Sequence, residues 1–466
     1  MHRGRTIAAA LAAAGILSAT VACSGSAQKP PSPTATASAA TGTTAATLPA
    51  TPPGAQARWL LGAIAHPPIP AAAITAHFDQ VFLTKIPAAQ LTATLARVNT
   101  LRPDAVLTST SEFVTLAVSL NGQPETVSVS VDARGLINGL DLVAGTPQLA
   151  LTVPTTWAAV DRQIQQAAPQ TRLLVARVSG GGACQTVHAV DATTPAPLGS
   201  AFKLYVLDAL ARAIAAGTVS WDQRLTLTSQ LTSLPSGELA TEPAGTQVTV
   251  LQAAQDMISS SDNTAADLLI TLLGRTAVES AAADSGMADP ALDTPFLTTR
   301  ELFVLKLDDW PALANSYLTL NAAGRQAMLT GTIDRVPLSA LTVAAEKAWT
   351  QPRDIGTLEW FASPADICRV YASLAALSRQ PGLAPVASIL AINNGALSLD
   401  PAHWSSVWFK GGSEPGVATL NYLATTRTGQ SYVVSALTAN PSAPIPSTAT
   451  AQLIGAIKAA FTLAAG

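Results

Sequence analysis

Hydrophobic and polar positions change their spacing along the chain, and these changes separate two folded regions. From residue 57 to 99, apolar side chains recur at helical intervals between prolines, whereas from about residue 105 to 143 they alternate with polar ones as in strands. Helices followed by an antiparallel meander predict a small α+β domain over residues 57–147. The stretch Gly145-Thr146-Pro147 is the expected boundary.

The second region, residues 151–466, places a helical block inside a set of strands. Two strands come first, a mostly helical middle follows from about residue 200 to 392, and three strands and a final helix close the chain. The strand patterns are Leu173–Val178, Gln185–Val190, Val407–Lys410, Ala418–Ala424 and Ser431–Leu437. This order predicts an α/β sheet covered by helices.

The N-terminus has the pattern of an export signal. Two arginines precede an apolar run that ends in small residues before Cys23, so residues 1–23 are predicted to be a signal peptide. The segment Thr20–Cys23 resembles a bacterial lipobox, which implies lipidation of Cys23. Residues 24–56 are almost entirely Ser, Pro, Thr, Ala and Gly and predict a disordered tether. We expect an anchor at the extracytoplasmic face of the cell membrane, with secretion as the alternative.

Composition narrows the possible chemistry. The 466 residues carry 26 basic and 29 acidic side chains, a formal net charge of −3, so nucleic acid is not an expected partner. Five histidines and three cysteines lack the spacing of metal ligands, and we expect no metal and no cofactor. In an oxidising compartment Cys184 and Cys368 could pair, and two buried free thiols are the alternative. We expect a monomer.

The first candidate for chemistry is Ser200-Ala201-Phe202-Lys203, at the start of a predicted helix. Its spacing stacks the Ser200 hydroxyl and the Lys203 amine on one helical face. Serine is a poor nucleophile until a base takes its proton, and a buried lysine beside a second cation loses enough basicity to do so. We therefore predict Ser200 as the nucleophile and Lys203 as the general base.

Two later segments supply further groups. Ser261-Asp262-Asn263 is expected in a loop between helices, where Ser261 can relay a proton, Asn263 can orient the lysine and a substrate amide, and Asp262 can bond backbone amides. Lys410 ends an apolar strand and offers a cation to an anionic substrate. The remaining candidates are the oxyanion-hole amides of Ser200 and Ser413 and the substrate-binding positions Gly411, Gly412 and Phe409; of Trp408 and Phe409, one is expected in the core.

Together, S-x-x-K, S-D-N and K-G-G in this order resemble the class A β-lactamases, which are penicillin-recognising serine enzymes. The resemblance covers residues 151–466 and implies an α/β (α+β) β-lactamase/transpeptidase-like fold, with an antiparallel sheet flanked by helices. Segments 297–302 and 360–364 are similar to a branch of actinobacterial lipoproteins that includes the β-lactamase-like protein of clavulanate biosynthesis. That branch implies weak esterase chemistry, and the small first domain resembles the NTF2-like fold.

The sequence departs from the class A pattern at two points. The family has a threonine or serine after the lysine of its third motif, but here that position is Gly411, so a penicillin carboxylate would lose a hydrogen bond. The interval between Ser261 and Lys410 is longer than in a compact class A enzyme, and the deacylation glutamate cannot be aligned. The candidates for it are Glu301, Glu346 and Glu359, and for each an ordinary structural carboxylate is the alternative.

These features predict an exported, membrane-tethered serine hydrolase that works through an ester on Ser200. The expected partner is a small acyl donor, either a β-lactam or a small ester. The alternative is a catalytically weak β-lactamase-fold binding protein of the cell envelope, which would recognise peptidoglycan-like peptides or a protein partner. Gly411 and the unassigned glutamate favour that alternative, whereas the intact Ser200 and Ser261 motifs oppose it.

Overall fold

The structure, a computed structural model, describes residues 48–466 except 97, 99–100, 110–112, 121–122, 133, 145–151, 235 and 338–339. The described chain forms two compact units, one up to residue 144 and one from residue 152. The predicted signal peptide, Cys23, most of the predicted tether and the predicted boundary lie outside the described residues. Within the part that is described, no helix combines the length and the apolar character that crossing a membrane requires.

In the first unit, helices precede an antiparallel meander, as the sequence predicts. The helices are α1 (Pro52–Ala65), α2 (Ala71–His77), α3 (Gln80–Lys85) and α4 (Ala88–Leu95). The strands β1 (Leu101–Ser109), β2 (Phe113–Leu120), β3 (Gln123–Val131) and β4 (Ile137–Ala144) pair in that order, each antiparallel to the next. Leu60 and Ile64 of α1 share one core with Val114 and Leu116 of β2.

Helix α1 begins at Pro52, inside the segment predicted as a tether, so the predicted end of that tether at residue 56 is wrong. The Thr51 hydroxyl accepts a hydrogen bond from Gly54 N at 3.3 Å and caps the helix. Proline in a first turn removes no helical hydrogen bond, and both Pro53 and Ala57 are buried. A segment with tether-like composition therefore still contributes apolar surface to the core.

The second unit contains long helices and one larger sheet. Its helices are α5 (Trp157–Gln165), α6 (Lys203–Ala215), α7 (Val250–Ser259), α8 (Asn263–Leu273), α9 (Arg275–Asp284), α10 (Thr299–Leu307), α11 (Ala312–Leu318), α12 (Ala322–Gly331), α13 (Val343–Ala348), α14 (Pro364–Leu377), α15 (Ala384–Ala391) and α16 (Ser447–Ala465). Its strands are β5 (Gln170–Val178), β6 (Cys184–Val190), β7 (Ala196–Pro197), β8 (Arg224–Thr226), β9 (Gln247–Thr249), β10 (Phe361–Ala362), β11 (Trp404–Glu414), β12 (Val417–Thr426) and β13 (Ser431–Ala439). The five strand patterns read from the sequence are all confirmed.

The larger sheet has the antiparallel order β11-β12-β13-β5-β6 and is covered by helices on both faces. Successive side chains of a strand point to opposite faces. Leu173 and Val175 accordingly pack with α5 and α16, whereas Leu174 and Ala176 pack with α6, α8 and α14. The second unit thus has the antiparallel sheet flanked by helices that the sequence resemblance implies, and α6, the helix that follows Ser200, lies inside the larger core.

A disulfide joins Cys184 in β6 to Cys368 in α14, with the two Cα atoms 6.3 Å apart. The sequence leaves the pairing of these cysteines open, and the structure pairs them. Cys368 is fully buried. The bridge therefore fastens an edge strand of the sheet to a central helix.

Candidate active site

Ser200 lies in a 3-10 turn that runs directly into helix α6. The turn spans Gly199–Phe202, and α6 begins at Lys203. The sequence predicts a single helix here, but a 3-10 turn also places side chains three residues apart on one face. The residues from Lys203 to Ala211 are all buried, because α6 runs through the core. The Lys203 amine is consequently shielded from water directly beside the Ser200 side chain.

The Lys203 amine lies among four oxygen atoms. Its Nζ is 2.6 Å from the carbonyl oxygen of Ser261, 2.7 Å from Asn263 Oδ1, 3.2 Å from Ser261 Oγ and 3.3 Å from Ser200 Oγ. The two shortest contacts are to atoms that can only accept. A neutral amine has two N–H groups for these acceptors and one lone pair left over. That lone pair can accept a hydroxyl proton from Ser200.

The buried position changes the proton affinity of both lysines at the site. Burial lowers the pKa of Lys203 to about 7, although the carboxyl groups of Asp262 and Asp267 act in the opposite direction. The pKa of Lys410 lies well below its ordinary value because of burial and, secondly, because of the charge on Lys203. In this buried site, a charge on one amine disfavours protonation of the other. An amine that stays neutral can act as a general base.

The loop between α7 and α8 presents Ser261 in an unusual backbone conformation. Its φ of +60° lies in the left-handed region, which a non-glycine residue adopts only where the surroundings hold it. The carbonyl oxygen of Ser261 accepts hydrogen bonds from Lys203 Nζ and from the hydroxyl of Ser236, each at 2.6 Å. Ser236 therefore helps to hold the loop, a role that the sequence did not indicate.

Asp262 and Asn263 fix the same loop from its other end. Asp262 Oδ1 accepts from Ala265 N and caps α8, and its Oδ2 accepts from Leu239 N at 2.9 Å, so its predicted structural role is confirmed. Asn263 Nδ2 donates to Leu234 O at 3.1 Å. This bond leaves the amide oxygen of Asn263 facing Lys203.

Lys410, in the edge strand β11, approaches Ser261 from the opposite side. Its Nζ is 3.0 Å from Ser261 Oγ and 2.8 Å from the carbonyl oxygen of Gly411. The Asn421 amide on the neighbouring strand donates to the carbonyl oxygen of Lys410 and holds this part of the strand. The Ser261 hydroxyl thus lies between the amines of Lys203 and Lys410, at the position expected of a proton relay.

Strand β11 passes unusually close to the turn that carries Ser200. A Cβ added at Gly412 would lie 2.1 Å from Leu198 O and 2.6 Å from Ser200 N, and one added at Gly199 would lie 2.8 Å from Ser413 N. Glycine is therefore required at both points. The backbone amides of Ser200 and Ser413 are brought to the same narrow gap, where the sequence predicts an oxyanion hole.

Phe409 and Gly411 lie on the face of β11 opposite to Lys410. The Phe409 ring is half-buried and tilts against Tyr422, with the ring centroids 4.7 Å apart. A Cβ added at Gly411 would lie 2.8 Å from Phe409 Cζ. The space that a hydroxyl-bearing side chain would need at position 411 is therefore filled by this ring. Trp408 is the core member of the pair, as expected of one of them.

Two of the three glutamates predicted as deacylation bases, Glu301 and Glu359, make structural contacts. Glu301 completes a capping box with Thr298 at the start of α10 and pairs with Arg275 at 2.7 Å. Both carboxylate oxygens of Glu301 are used by these contacts. The alternative of a structural, ion-paired carboxylate holds for this residue.

Glu359 and Glu346 differ from that case. Glu359 is buried, and its Oε2 accepts hydrogen bonds from Gly199 N at 3.2 Å and from Trp360 N at 3.0 Å. It therefore contacts the backbone of the nucleophile's turn rather than Lys203. Glu346 lies half-buried in the first turn of α13. Neither residue is among the hydrogen-bond partners that the described residues give to Lys203.

Among the described residues, no group of three or more His, Cys, Asp or Glu side chains is placed to hold a metal ion. Asp267, which the sequence did not single out, is fully buried beside the site and accepts hydrogen bonds from Thr299 N and Arg300 N. It fastens the start of α10 to α8. Burial raises the pKa of Asp267 to about 7, although these backbone hydrogen bonds oppose the shift.

Two family models match parts of this chain. Residues 158–358 match the model of the beta-lactamase enzyme family, and residues 48–137 match a model described as the N-terminal part of the ORF 12 gene product. No curated protein sequence matches the chain. Over residues 158–358 the second unit is thus similar to the beta-lactamase enzyme family.

Several solved structures are similar to the same part of the chain. They include β-lactamases from Sphaerobacter thermophilus and Chitinophaga pinensis and a putative class A β-lactamase from Rhodopseudomonas palustris, at 20%, 17% and 16% sequence identity. Each alignment covers 66% of this chain and 98% of the other, with TM-scores of 0.47, 0.45 and 0.45. Likeness of this strength carries no conclusion about the reaction.

Proposed function

We propose that the protein is a serine hydrolase that forms an acyl ester on Ser200. The observation that carries the proposal is the position of Lys203, whose amine is buried, has its pKa lowered to about 7 and lies 3.3 Å from Ser200 Oγ. A lysine held in this state can take the hydroxyl proton as the nucleophile attacks. The match of residues 158–358 to the beta-lactamase enzyme family supports the same reaction.

The proposed reaction has two stages. In the first, the Ser200 proton moves to Lys203, Ser200 Oγ bonds to the carbonyl carbon of the donor, and the amides of Ser200 and Ser413 stabilise the oxyanion. The bond to the leaving group then breaks. Ser261, which lies between the two amines, gives its proton to the leaving group and takes the proton held by Lys203 in return. In the second stage, water cleaves the ester and releases an acid and free Ser200.

The proposed donors are small esters and β-lactams, with uncharged esters favoured. Position 411 offers no hydroxyl to a substrate carboxylate, and the Phe409 ring occupies the space beside it. A lost hydrogen bond of this kind costs roughly 1 to 3 kcal/mol if its partner is buried. A donor without a carboxylate at that point avoids the cost.

We also propose that the acyl ester is long-lived. Fast hydrolysis needs a positioned water and a group to deprotonate it. Two of the three carboxylates predicted for that role bind other groups: Glu301 binds Arg275, and Glu359 binds the Gly199 amide. The enzyme should therefore acylate faster than it turns over.

The proposed location is the outer face of the cell membrane. The support is the signal-like N-terminus, with lipidation proposed at Cys23 and a tether after it. We propose that the protein acts there as a monomer on a small acyl donor. Radiolabelled palmitate incorporation into the wild-type protein, but not into a Cys23→Ala variant, would test the anchor.

Intact-mass measurement tests the enzymatic proposal. The purified protein is incubated separately with a penicillin, a cephalosporin and an activated acetyl ester, and its mass is followed over time. We expect an adduct on the wild-type protein, slow to disappear and absent from Ser200→Ala. If no electrophile at millimolar concentration gives an adduct, the proposed reaction is refuted.

The second candidate is a binding protein of the cell envelope that recognises peptidoglycan-like peptides or a protein partner. The observation in its favour is the engagement of Glu301 and Glu359 by structural contacts. In that case, wild-type protein and Ser200→Ala should bind a peptidoglycan-like peptide equally, and neither should form an adduct. Calorimetric titration of both proteins with the peptide separates the two candidates.

A further inference from the structure

Three charged side chains meet in the core of the second unit, at a place that the reaction described above does not use. Lys306 Nζ lies 2.6 and 2.8 Å from the two carboxylate oxygens of Glu414 and 3.7 Å from Glu359 Oε1. The Lys306 side chain is 0% exposed, that of Glu359 1% and that of Glu414 7%. We call these three residues the buried cluster.

The buried cluster contacts both backbone segments that flank Ser200. Glu359 Oε2 accepts the N–H of Gly199, the residue directly before the nucleophile. Glu414 directly follows Ser413, whose amide is the second proposed oxyanion donor. The two segments are in close contact with each other, because a Cβ at Gly199 would lie 2.8 Å from Ser413 N. The Lys306 ammonium group thus links Glu359, which binds the turn, to Glu414, which lies at the end of strand β11.

The location of this charge is not explained by stability alone. Burying charged groups costs several kcal/mol per ion before pairing, and a well-packed apolar set of the same volume is often as stable. The cluster also holds two carboxyl groups against one amine, and Glu359 Oε1 has no hydrogen-bond partner among the described residues. Burial raises the pKa of Glu414 well above its usual range, with Glu359 adding to the effect and Lys306 opposing it.

We propose that Lys306, Glu359 and Glu414 act as positioning residues for the oxyanion hole, Glu359 by holding the Gly199 amide and Glu414 by anchoring the strand end after Ser413. The inference rests on the proposed acylation of Ser200. Glu359 orients the turn, so that the Ser200 amide points into the gap. Lys306 fixes the distance between the turn and strand β11.

Two variants of Glu359 separate positioning from general support of the fold. In Glu359→Gln the amide oxygen can still accept the Gly199 N–H, whereas Glu359→Ala removes the acceptor. Glu279→Ala is the matched control, because Glu279 also accepts a backbone N–H, that of Phe296 at 2.8 Å. Melting temperature confirms that each variant is folded before it is used.

The first measurement is acylation by an activated acetyl ester over a range of concentrations. For Glu359→Ala we expect the maximal acylation rate to fall about 10- to 100-fold, less than the loss of a whole oxyanion donor, with the half-saturating concentration changed less than about threefold. Glu359→Gln should stay within about fivefold of wild type, and Glu279→Ala should match it. Equal rates in Glu359→Ala and wild type would overturn the inference.

The second measurement does not depend on acylation and therefore distinguishes failure of the inference from failure of the proposed function. Hydrogen–deuterium exchange of the full protein is followed in the peptide that contains Gly199 and Ser200. Glu359→Ala should lose protection there, and Glu359→Gln and Glu279→Ala should not. If the wild type never acylates, this exchange pattern still decides whether Glu359 holds the turn; unchanged protection in Glu359→Ala refutes it.

Discussion

Lys203 Nζ and Asn263 Oδ1 lie 2.7 Å apart, and this contact takes one of the two N–H groups that a neutral lysine has. The other N–H group donates to the carbonyl oxygen of Ser261, which is 2.6 Å from Nζ. The protonation state of Lys203 therefore decides whether a lone pair is free to face Ser200. The first prediction concerns this titration.

Acylation should rise with pH through about 7. The pKa of Lys203 is lowered to about 7 by burial, so the amine carries a proton below that pH and cannot act as a base. We expect the second-order rate constant with an activated ester to increase about tenfold per pH unit below 7 and to level off above it. Stopped-flow absorbance at several pH values measures this, with Ser200→Ala as the background. A flat profile between pH 5 and 8 would exclude Lys203 as the base.

Gly412→Ala should slow acylation strongly while the protein still folds. The new Cβ would lie 2.1 Å from Leu198 O and 2.6 Å from Ser200 N, so the strand must move away from the turn. Separating the two oxyanion amides costs roughly 100-fold or more in rate. Gly181→Ala is the control, since nothing lies within 4 Å of its added Cβ. Wild-type acylation in Gly412→Ala would contradict the close approach.

Gly237→Ala should loosen the Ser261 loop. Gly237 has a φ of +93°, and an added Cβ would lie 2.0 Å from Asp262 Oδ2, the oxygen that accepts from Leu239 N. Strain of this kind costs about 1–3 kcal/mol, and the lost contacts add to it. Urea unfolding should show the loss for Gly237→Ala and none for Gly356→Ala, whose added Cβ has open space. Equal midpoints would show that the loop tolerates the change.

Reduction of the Cys184–Cys368 bridge should destabilise the second unit. A covalent link between residues 184 positions apart restricts the unfolded chain, which contributes roughly 3–5 kcal/mol. We expect Cys184→Ser, and the wild type under reducing conditions, to unfold at a lower urea concentration. The reduced wild-type protein should gain the mass of two hydrogens. Titration of two free thiols in the non-reduced, unfolded protein would refute the pairing.

Asp256→Asn should make stability less dependent on pH. Burial raises the pKa of Asp256 to about 7 from 3.8, and Asp262 and Glu238 add to the shift. The folded protein thus binds this proton more tightly than the unfolded chain does. The resulting stability is complete below about pH 3.8 and is lost as pH rises to about 7.

Asparagine does not ionise. The melting temperature of Asp256→Asn minus that of the wild type should therefore be higher at pH 8 than at pH 4. Thermal unfolding at these two pH values measures the difference. Asp289→Asn, which changes an exposed carboxylate of the same unit, serves as the control and should track the wild type. If the Asp256→Asn and wild-type curves stay parallel, Asp256 does not ionise in the folded protein within that range.

The site residues that could be predicted from the sequence are those whose partners lie close to them along the chain. Ser200 and Lys203 fall three positions apart on one turn, and Ser261 directly precedes Asp262, the N-cap of the helix that begins at Asn263. The sheet was predictable for the same reason, since strand patterns depend on near neighbours. These features need no knowledge of which distant segments meet.

The contacts that sequence reasoning missed depend on tertiary packing. Ser236 reaches the Ser261 carbonyl from a loop without any motif, and Glu359 reaches Gly199 across 160 positions. A pattern of spacing cannot show that a carboxylate will bind an amide rather than a water. The early start of α1 at Pro52 was missed because proline and threonine suggest a tether, although both also suit a helix start.

The ring of Phe409 beside Gly411 constrains how this protein could evolve. A serine at position 411 would give a penicillin carboxylate a partner, but its Cβ would meet Phe409 Cζ at 2.8 Å. A lineage under antibiotic selection would therefore have to displace this ring, either by turning it or by placing a smaller residue at 409. A descendant that takes the second route loses the contact with Tyr422 and with it some stability.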